Sequence, residues 1–166
     1  VVFGFSDATI PCDGSVTSIG DDAFFWCESL ASITIPDSVT SIGKGAFKGC
    51  EALTSIAIPD GVTSIGEGAF SNCKALEDIV VADGNKNFRM INRCLIDIVH
   101  KRVVFGFSDA TIPCDGSITS IGRSAFYGCE SITSITIPNG VTSIGDYAFG
   151  WCESLTSIAI PDGVTS

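Results

Sequence analysis

Apolar residues recur along this chain with a period of 23 residues, which is the period of neither an α-helix nor a single β-strand. Each 23-residue repeat is called a coil below. Within a coil, the apolar residues occupy positions 1, 4, 8, 9, 12, 15, 18 and 20. Five complete coils begin at Val16, Val39, Val62, Ile118 and Val141. A sixth begins at Val164 and stops after Ser166.

The pattern predicts several short elements in each coil. The stretch "LTSIAIP" alternates like a short β-strand, the following Pro and Asp-Gly indicate a turn, and "VTSI" is a second extended segment. The motif "GxxAFxxC" predicts a single helical or 3₁₀ turn. One coil is too small to enclose a core of its own, so stacked coils must share one. The pattern therefore predicts a repeat solenoid.

A longer unit interrupts the regular coils. Residues 1–15 are predicted to end one long unit, residues 16–84 form three coils, and residues 85–117 form an enlarged unit of 33 residues. Two coils follow at 118–163, and residues 164–166 begin a truncated one. The enlarged unit is predicted to be one large coil or a coil bearing a hairpin, with strands near 88–91, 94–98 and 102–107.

Residues 103–117 repeat residues 1–15 without a change, which superimposes a step of 102 residues on the shorter period. The chain begins "VVFGFSDATIP", without Met or a basic leader. We therefore expect a single solenoid that is a piece of a longer array.

The repeat "CxxLxxIxIPxxVxxIGxxAFxx" resembles the BspA-like (Treponema-type) leucine-rich repeat family. The residues that carry the resemblance recur in every coil and are represented by Cys50, Leu53, Ile56, Ile58, Pro59, Val62, Ile65, Gly66, Ala69 and Phe70. The resemblance implies a curved, right-handed leucine-rich-repeat coil with short parallel β-strands on its concave side. It also implies a surface or secreted protein associated with adhesion, and it brings no catalytic residues.

Composition narrows the classes of partner. The chain has 166 residues, of which 45% are apolar, which suffices for one domain with a core. Its formal net charge is −10, with 19 acidic residues against 9 basic ones. This charge argues against nucleic acid and anionic membrane surfaces, since both require many basic residues. No apolar run approaches the roughly 18 residues of a membrane helix, so membrane insertion is not expected.

The eight cysteines predict no metal site. Five of them share position 12 of the coil and are predicted to form a buried column of free thiols: Cys27, Cys50, Cys73, Cys129 and Cys152. Cys12, Cys94 and Cys114 lie outside that column, and we expect them to be exposed, with an intermolecular disulfide as an alternative. The only His, His100, has no partner indicated by the sequence and would add at most one ligand to Cys94, short of a zinc set.

No enzyme or cofactor signature is present in the sequence. A nucleophile needs a base within reach, and His100 reads as a solvated loop residue. The recurrent "IGxxAF" glycines open no long helix, so a phosphate cradle is not indicated. The Asp-Gly pairs after Pro have the composition of turns rather than of calcium loops. We therefore predict no catalytic, cofactor-binding or metal-binding residues.

Four positions of the coil vary while the rest is copied. Residues 1–64 and 103–166 align without a gap and differ at 14 positions. Eight of these are positions 6, 7, 10 and 11, which flank the Ala-Phe pair, and every such site has changed. Thr17 and Glu28 should also be exposed, yet their counterparts are unchanged. We call the residues at these four positions of the five coils the variable face.

Three interpretations of the variable face remain open at this point: a diversified recognition surface, unconstrained drift at exposed sites, and packing of the aromatics onto the coil edge. Aromatics and Arg on a rigid frame are typical of binding hot spots, which favours the first. The predicted partner-binding residues are Asp21, Asp22, Phe25, Trp26, Lys44, Lys48, Arg123, Tyr127, Asp146, Tyr147 and Trp151.

Two further surfaces are weaker candidates. The outward residues of the predicted concave strands are small and nearly uncharged, which is more typical of a spacer than of a binding site: Ser32, Thr34, Ser55, Ala57, Asp78, Val80, Ser134, Thr136, Ser157 and Ala159. The enlarged unit holds a basic patch in an otherwise acidic chain: Lys86, Arg89, Arg93, Lys101 and Arg102. That patch either docks an acidic partner or keeps hairpin edges from pairing.

These observations favour a non-enzymatic protein, extracellular or at the cell surface, that recognises a protein or other macromolecule of the cell surface or extracellular matrix. The alternative is a structural stalk that presents another domain. An enzyme or an ice-binding surface is the least favoured class. Because the end coils would expose strand edges, we also expect end-to-end self-association.

Overall fold

The computed structural model describes residues 8–166, which fall into two compact units, one ending at Phe88 and one running from Arg89 to Ser166. Each unit is built from short β-strands joined by turns. The first contains β1 (Ser18–Ile19), β2 (Ser41–Ile42), β3 (Ser55–Ile58), β4 (Ser64–Ile65) and β5 (Asp78–Val81). From the boundary onward come β6 (Phe88–Ile91), β7 (Cys94–Asp97), β8 (Arg102–Gly106), β9 (Ser120–Ile121), β10 (Ser134–Thr136), β11 (Ser143–Ile144) and β12 (Ser157–Ala159).

The strands of the first unit stack in parallel at the step of the sequence repeat. β1, β2 and β4 form one sheet at coil positions 3 and 4, with Ser18 opposite Ser41 and Ser41 opposite Ser64. β3 and β5 form a second sheet at positions 17–20, with Ser55 opposite Asp78. Each pairing joins residues 23 apart, so the predicted solenoid of 23-residue coils is confirmed.

In the second unit an antiparallel hairpin takes the place of a coil. The sheet order is β11-β9-β8-β7-β6, with β7 and β8 antiparallel and β8, β9 and β11 parallel. The strands predicted for the enlarged unit are present, ending within a residue of the expected bounds. β8 occupies the place that a strand of a preceding coil would have beside β9. Arg102 lies opposite Ser120, and the Gly122 backbone amide donates to the Val103 carbonyl at 2.8 Å. A separate pair, β10 and β12, completes this unit.

The prediction of a helical or 3₁₀ turn at "GxxAFxxC" is wrong, since no helix occurs anywhere in residues 8–166. Separate turns replace it: Ala46 donates to Gly43, Lys48 to Gly45 and Cys50 to Phe47 through their backbones. The intervening amides bond to the next coil instead, as when Phe24 donates to the Ala46 carbonyl at 2.7 Å. Because every second amide donates to a carbonyl of the neighbouring coil, a continuous series of helical hydrogen bonds cannot form.

Stacked phenylalanines form the centre of each unit. The ring centroids of Phe24 and Phe47 lie 5.2 Å apart and those of Phe47 and Phe70 lie 5.9 Å apart, and in both pairs the stacked rings are nearly parallel. In the second unit, Phe126 and Phe149 repeat the stack at 5.2 Å. These rings occupy position 9 of the coil, so the Phe of each coil packs against the Phe of the next coil. Stacking supplies the burial that an isolated coil lacks.

The position-12 cysteines are free thiols, and they are buried except for Cys152, which is half-buried. The Sγ of Cys50 donates to the Phe24 carbonyl at 3.2 Å, and that of Cys73 donates to the Phe47 carbonyl at 3.1 Å. Burial, the largest cause, raises the pKa of Cys50 and Cys129 to about 12. Cysteine therefore serves here as a small residue that is apolar yet able to satisfy a carbonyl.

The expectation of three exposed cysteines outside that column is correct for Cys12 and Cys114 and wrong for Cys94. Cys94 is fully buried because β7 lies between β6 and β8 in the five-stranded sheet. Burial raises the pKa of its thiol to about 12 as well. Its place inside a hairpin sheet, which the coil pattern does not contain, explains the difference.

Thiol labelling of the folded chain at pH 8 should therefore show two fast sites, Cys12 and Cys114. The buried thiols are inaccessible, and burial raises the pKa of Cys50, Cys94 and Cys129, so the buried group should react only on unfolding, with half-buried Cys152 between the two groups. Ellman's reagent with and without denaturant measures the two phases. Replacing Cys12 and Cys114 with Ser should remove the fast phase; a fast phase that survives would contradict the burial of the column.

Candidate functional site

The variable face lies on the turn segments on either side of the buried Ala-Phe pair. Phe25 and Trp26 are each 46% exposed, Tyr147 is 66% exposed and Trp151 is 68% exposed. The neighbouring Ala and Phe of the same segments face the core, as Ala46 and Phe47 do at 0% exposure. The backbone thus separates a constant inner row from a variable outer row.

Positions 7 and 11 share an unusual backbone conformation in all five coils. Every residue at these positions has a positive φ: Asp22, Trp26, Gly45, Gly49, Gly68, Asn72, Ser124, Gly128, Tyr147 and Trp151. Glycine adopts this left-handed region freely, whereas a residue with a Cβ is strained by about 1 kcal/mol or more. Trp26 (55°), Tyr147 (55°) and Trp151 (57°) are therefore aromatics placed where the backbone favours Gly or Asn.

In the first unit, variable-face residues of consecutive coils contact one another. The Trp26 ring lies over Gly49, where a Cβ would come within 2.9 Å of the indole. The Lys48 ammonium lies 5.7 Å from the Phe25 ring centroid, a cation–π distance. One coil's side chains thus extend over the next coil's equivalent positions.

Charge is also complementary between these two coils. The Lys44 backbone amide donates to Asp21 Oδ1 at 2.8 Å. Asp21, Asp22 and Lys44 all have exposed side chains. The first unit therefore brings together six of the predicted binding residues, with an acidic edge beside a basic one.

The second unit brings together the other five. Arg123 Nη1 lies 3.8 Å from Asp146 Oδ2, and the Arg123 guanidinium lies 5.9 Å from the Tyr147 ring centroid. The Tyr127 ring lies over Gly150, where a Cβ would meet it at 3.0 Å. The glycines opposite the aromatics, Gly49 and Gly150, were not singled out from the sequence, although their alternation with large residues was the available signal.

The basic patch is partly committed to contacts within its own unit. Arg93 Nε pairs with Asp109 at 3.1 Å, and its guanidinium lies 3.8 Å from the Phe107 ring centroid. Arg102 reaches Asp97 at 3.5 Å. Lys86 and Lys101 are exposed and Arg89 is half-buried. The patch therefore presents fewer accessible charges to a partner than its sequence indicates.

His100 has a partner that sequence reasoning missed. Its Nδ1 lies 2.8 Å from Asp97 Oδ2, and its backbone amide donates to Asp97 Oδ1 at 2.9 Å. Asp97 is buried at the end of β7, while the imidazole is exposed. The aspartate closes the β7–β8 loop through groups three residues away, an Asx-type turn contact. Its position just after an apolar strand was the only signal in the sequence.

The outward strand residues form a shallow surface of small side chains, as predicted. Ser55 and Ala57 on β3 and Ser157 and Ala159 on β12 are exposed, with isoleucines alternating toward the core. The equivalent stretch 32–35 keeps the same alternation of exposure without strand hydrogen bonds. Val80 on β5 is the large exception, at 53% exposure.

The described part of the chain offers little other chemistry. No group of three His, Cys, Asp or Glu side chains in residues 8–166 is arranged to hold a metal ion. Over the same residues, no helix has the length and apolar character needed to span a membrane. The arrangement that stands out is the strained aromatic row of the variable face.

Comparison with known proteins decides the family. The model of the BspA type leucine rich repeat region matches residues 4–96 and 106–166, in six copies. The chain belongs to the BspA-type leucine-rich repeat family. No curated protein matches it.

Solved structures resemble this BspA-type chain over most of its length. A leucine-rich cell surface protein from Faecalibacterium prausnitzii is 33% identical, with a TM-score of 0.62 over 95% of this chain and 54% of that one. A leucine-rich repeat protein from Eubacterium ventriosum is 27% identical, with a TM-score of 0.63 over 90% and 52%.

The pneumococcal vaccine antigen PcpA shares the fold at 20% identity, with a TM-score of 0.70 over 90% of this chain and 44% of that one. The BspA-type chain thus spans about half the length of the proteins it resembles.

Proposed function

We propose that this BspA-type repeat protein is a non-enzymatic recognition protein, extracellular or at the cell surface, whose variable face binds a partner protein. The observation that carries the proposal is the placement of Trp26, Tyr147 and Trp151 in left-handed backbone positions with their rings exposed. Residues held in a strained backbone conformation cluster at functional sites. Drift at these positions would favour glycine or Asn, as at Gly68 and Asn72.

Packing onto the coil edge accounts for only part of the aromatic row. The Trp26 ring covers Gly49, and the Tyr127 ring covers Gly150. Even where the next coil is present, Phe25 and Trp26 each leave 46% of their surface in solvent. Trp, Tyr and Arg are the residues that most often dominate protein–protein binding energy. The exposed row therefore fits a protein partner better than an internal role.

Location and partner follow from the family and the charge. One similar structure is described as a cell surface protein, which supports a surface or secreted location for this chain. The net charge of −10 disfavours nucleic acid as a partner. A protein of the cell surface or extracellular matrix is the class that remains.

End-to-end self-association stays a prediction for this chain. Concentration-dependent light scattering should reveal growing assemblies. A strictly monomeric species at high concentration would contradict it.

Binding of the chain to a decellularised extracellular-matrix coat, measured with surface variants, tests the proposed function. The triple variant W26S/Y147S/W151S should remain folded and lose at least about tenfold in apparent affinity, because it removes the proposed hot spots. Two matched controls alter the rival surfaces: V80S on the strand face and K86E/K101E beside the hairpin.

The outcomes separate the candidate surfaces. Retained binding by the triple variant, with loss in V80S or K86E/K101E, would move the site to the strand face or the basic patch. No binding by the wild-type chain to matrix coats or to intact cells would favour the structural stalk.

A further inference from the structure

Substitutions between the two units compensate one another in pairs of stacked coils. In the first unit, position 11 holds Trp26 and then Gly49; in the second it holds Gly128 and then Trp151. Position 6 follows the same exchange, from Asp21 and Lys44 to Arg123 and Asp146. Each pair keeps one Trp and one Gly, one acid and one base, while the order reverses.

Two types of coil explain this exchange. The acid–Trp coil, at 16–38 and 141–163, has Asp at position 6 and Trp at position 11. The basic–Gly coil, at 39–61 and 118–140, has Lys or Arg at position 6 and Gly at position 11. The acid–Trp coil comes first in the first unit and second in the second unit. Independent substitution at positions 6 and 11 would not keep Asp with Trp and a basic residue with Gly in the same coil.

The stacking geometry couples the two types sterically. A Cβ at Gly49 would lie 2.9 Å from the Trp26 ring, so the indole uses the space that the glycine leaves. The backbone contact beneath is the same in both orders: Trp26 donates to Lys48 at 2.8 Å, and Gly128 donates to Gly150 at 2.9 Å. Gly49 is therefore a positioning residue for Trp26. In the second unit the order is reversed, and Trp151, which is 68% exposed, lies in the coil after Gly128.

A charge pair couples the two types in the second unit, where Arg123 Nη1 lies 3.8 Å from Asp146 Oδ2. In the first unit Asp21 Oδ1 accepts a hydrogen bond from the Lys44 backbone amide, a contact that does not depend on the lysine side chain. Opposite charges on adjacent coils attract, whereas a single charge reversal would place like charges side by side. The exposed rim around each Trp therefore contains one acidic and one basic side chain.

We propose that each acid–Trp and basic–Gly pair forms one docking site for a protein partner, so that the chain carries two such sites, centred on Trp26 and Trp151. This inference rests on the proposed function and adds the number of partner-binding sites per chain. The fitting partner offers an apolar cleft for an indole, rimmed by charges of both signs. The coil at 62–84 has Glu67, Ser71 and Asn72 instead and forms no such site.

Coil pairing is tested without a ligand by a thermal-unfolding cycle of W26G, G49W and W26G/G49W. G49W alone should lower Tm by about 5 °C or more, because two indoles compete for one space. Adding W26G should restore most of that loss, since it removes the indole that a side chain at position 49 would meet. Additive effects of the two substitutions would overturn the pairing.

Valency is tested by isothermal titration with a 12-residue peptide selected on the wild-type chain from a phage-displayed random library. The wild-type chain should bind two peptides. W26G and W151G should each bind one, with the remaining affinity within about threefold, as independent sites require. The double variant W26G/W151G should lose binding by at least about tenfold.

The outcomes distinguish this inference from the function on which it rests. A stoichiometry of one in the wild-type chain, or of two in both single variants, overturns the two-site inference even if the chain binds matrix through its variable face. A library that yields no binder contradicts the peptide-recognising site, while the thermal cycle still decides the coil pairing.

Discussion

Replacing Phe47 with Ala should lower the free energy of unfolding by about 3–5 kcal/mol, the usual cost of truncating a fully buried aromatic. The Phe47 ring is completely inaccessible and stacks between Phe24 and Phe70, at 5.2 and 5.9 Å. A cavity there removes contacts from two coils at once. Because stacked coils share their core, neighbouring coils should lose protection together. Denaturant unfolding and amide hydrogen exchange measure both effects.

Phe25 is the matched control, since it follows Phe24 directly and differs only in the side to which its ring points. It is 46% exposed, so Phe25→Ala should cost no more than about 1 kcal/mol. Equal destabilisation by the two substitutions would contradict the division into a constant inner row and a variable outer row.

The repeat pattern predicts most of the fold because each coil repeats the same contacts. Phe24 and Cys27 recur every 23 residues, and their equivalents are buried in the first four coils and half-buried in the fifth. The helical turn was wrong because the spacing of "GxxAFxxC" does not reveal that alternate amides bond to the next coil. Cys94 was misplaced because it belongs to a hairpin, whose sheet position no neighbouring repeat defines.

The sequence predicts which residues form the candidate site, but not their backbone conformation or their contacts. Comparison of residues 1–64 with 103–166 isolates the variable face, since these are the positions that change. It does not reveal the left-handed backbone at positions 7 and 11, because glycine and tryptophan both occur there. Nor does it show that Trp26 lies over Gly49, a contact between residues that are 23 apart in the chain.

The variant W26G/Y147G/W151G should separate binding from stability. Glycine relieves the left-handed strain, which is worth roughly 1 kcal/mol per residue, and the exposed rings of Tyr147 and Trp151 lose little packing. Tm should therefore stay within about 2 °C of the wild-type value or rise. Binding should fall at least about tenfold, since the aromatic anchors are gone. Thermal unfolding and a binding isotherm on the same samples measure the two effects.

Asn72→Gly is the control for introducing glycine without removing an aromatic ring; it also removes the hydrogen bond that Asn72 Nδ2 donates to Glu51 Oε1 at 3.2 Å. Asn72 has a φ of 58° at the same coil position, in a coil without an exposed aromatic. It should leave matrix binding unchanged. A loss of binding in this control would mean that backbone flexibility, rather than the aromatic rings, governs recognition.

The most direct test of the central claim is the affinity of W26G/Y147G/W151G for a decellularised matrix coat, measured beside the wild-type chain with both fully folded. Recognition through the strained aromatics predicts at least about tenfold weaker binding with an undiminished Tm. Equal affinity of the two chains would contradict it.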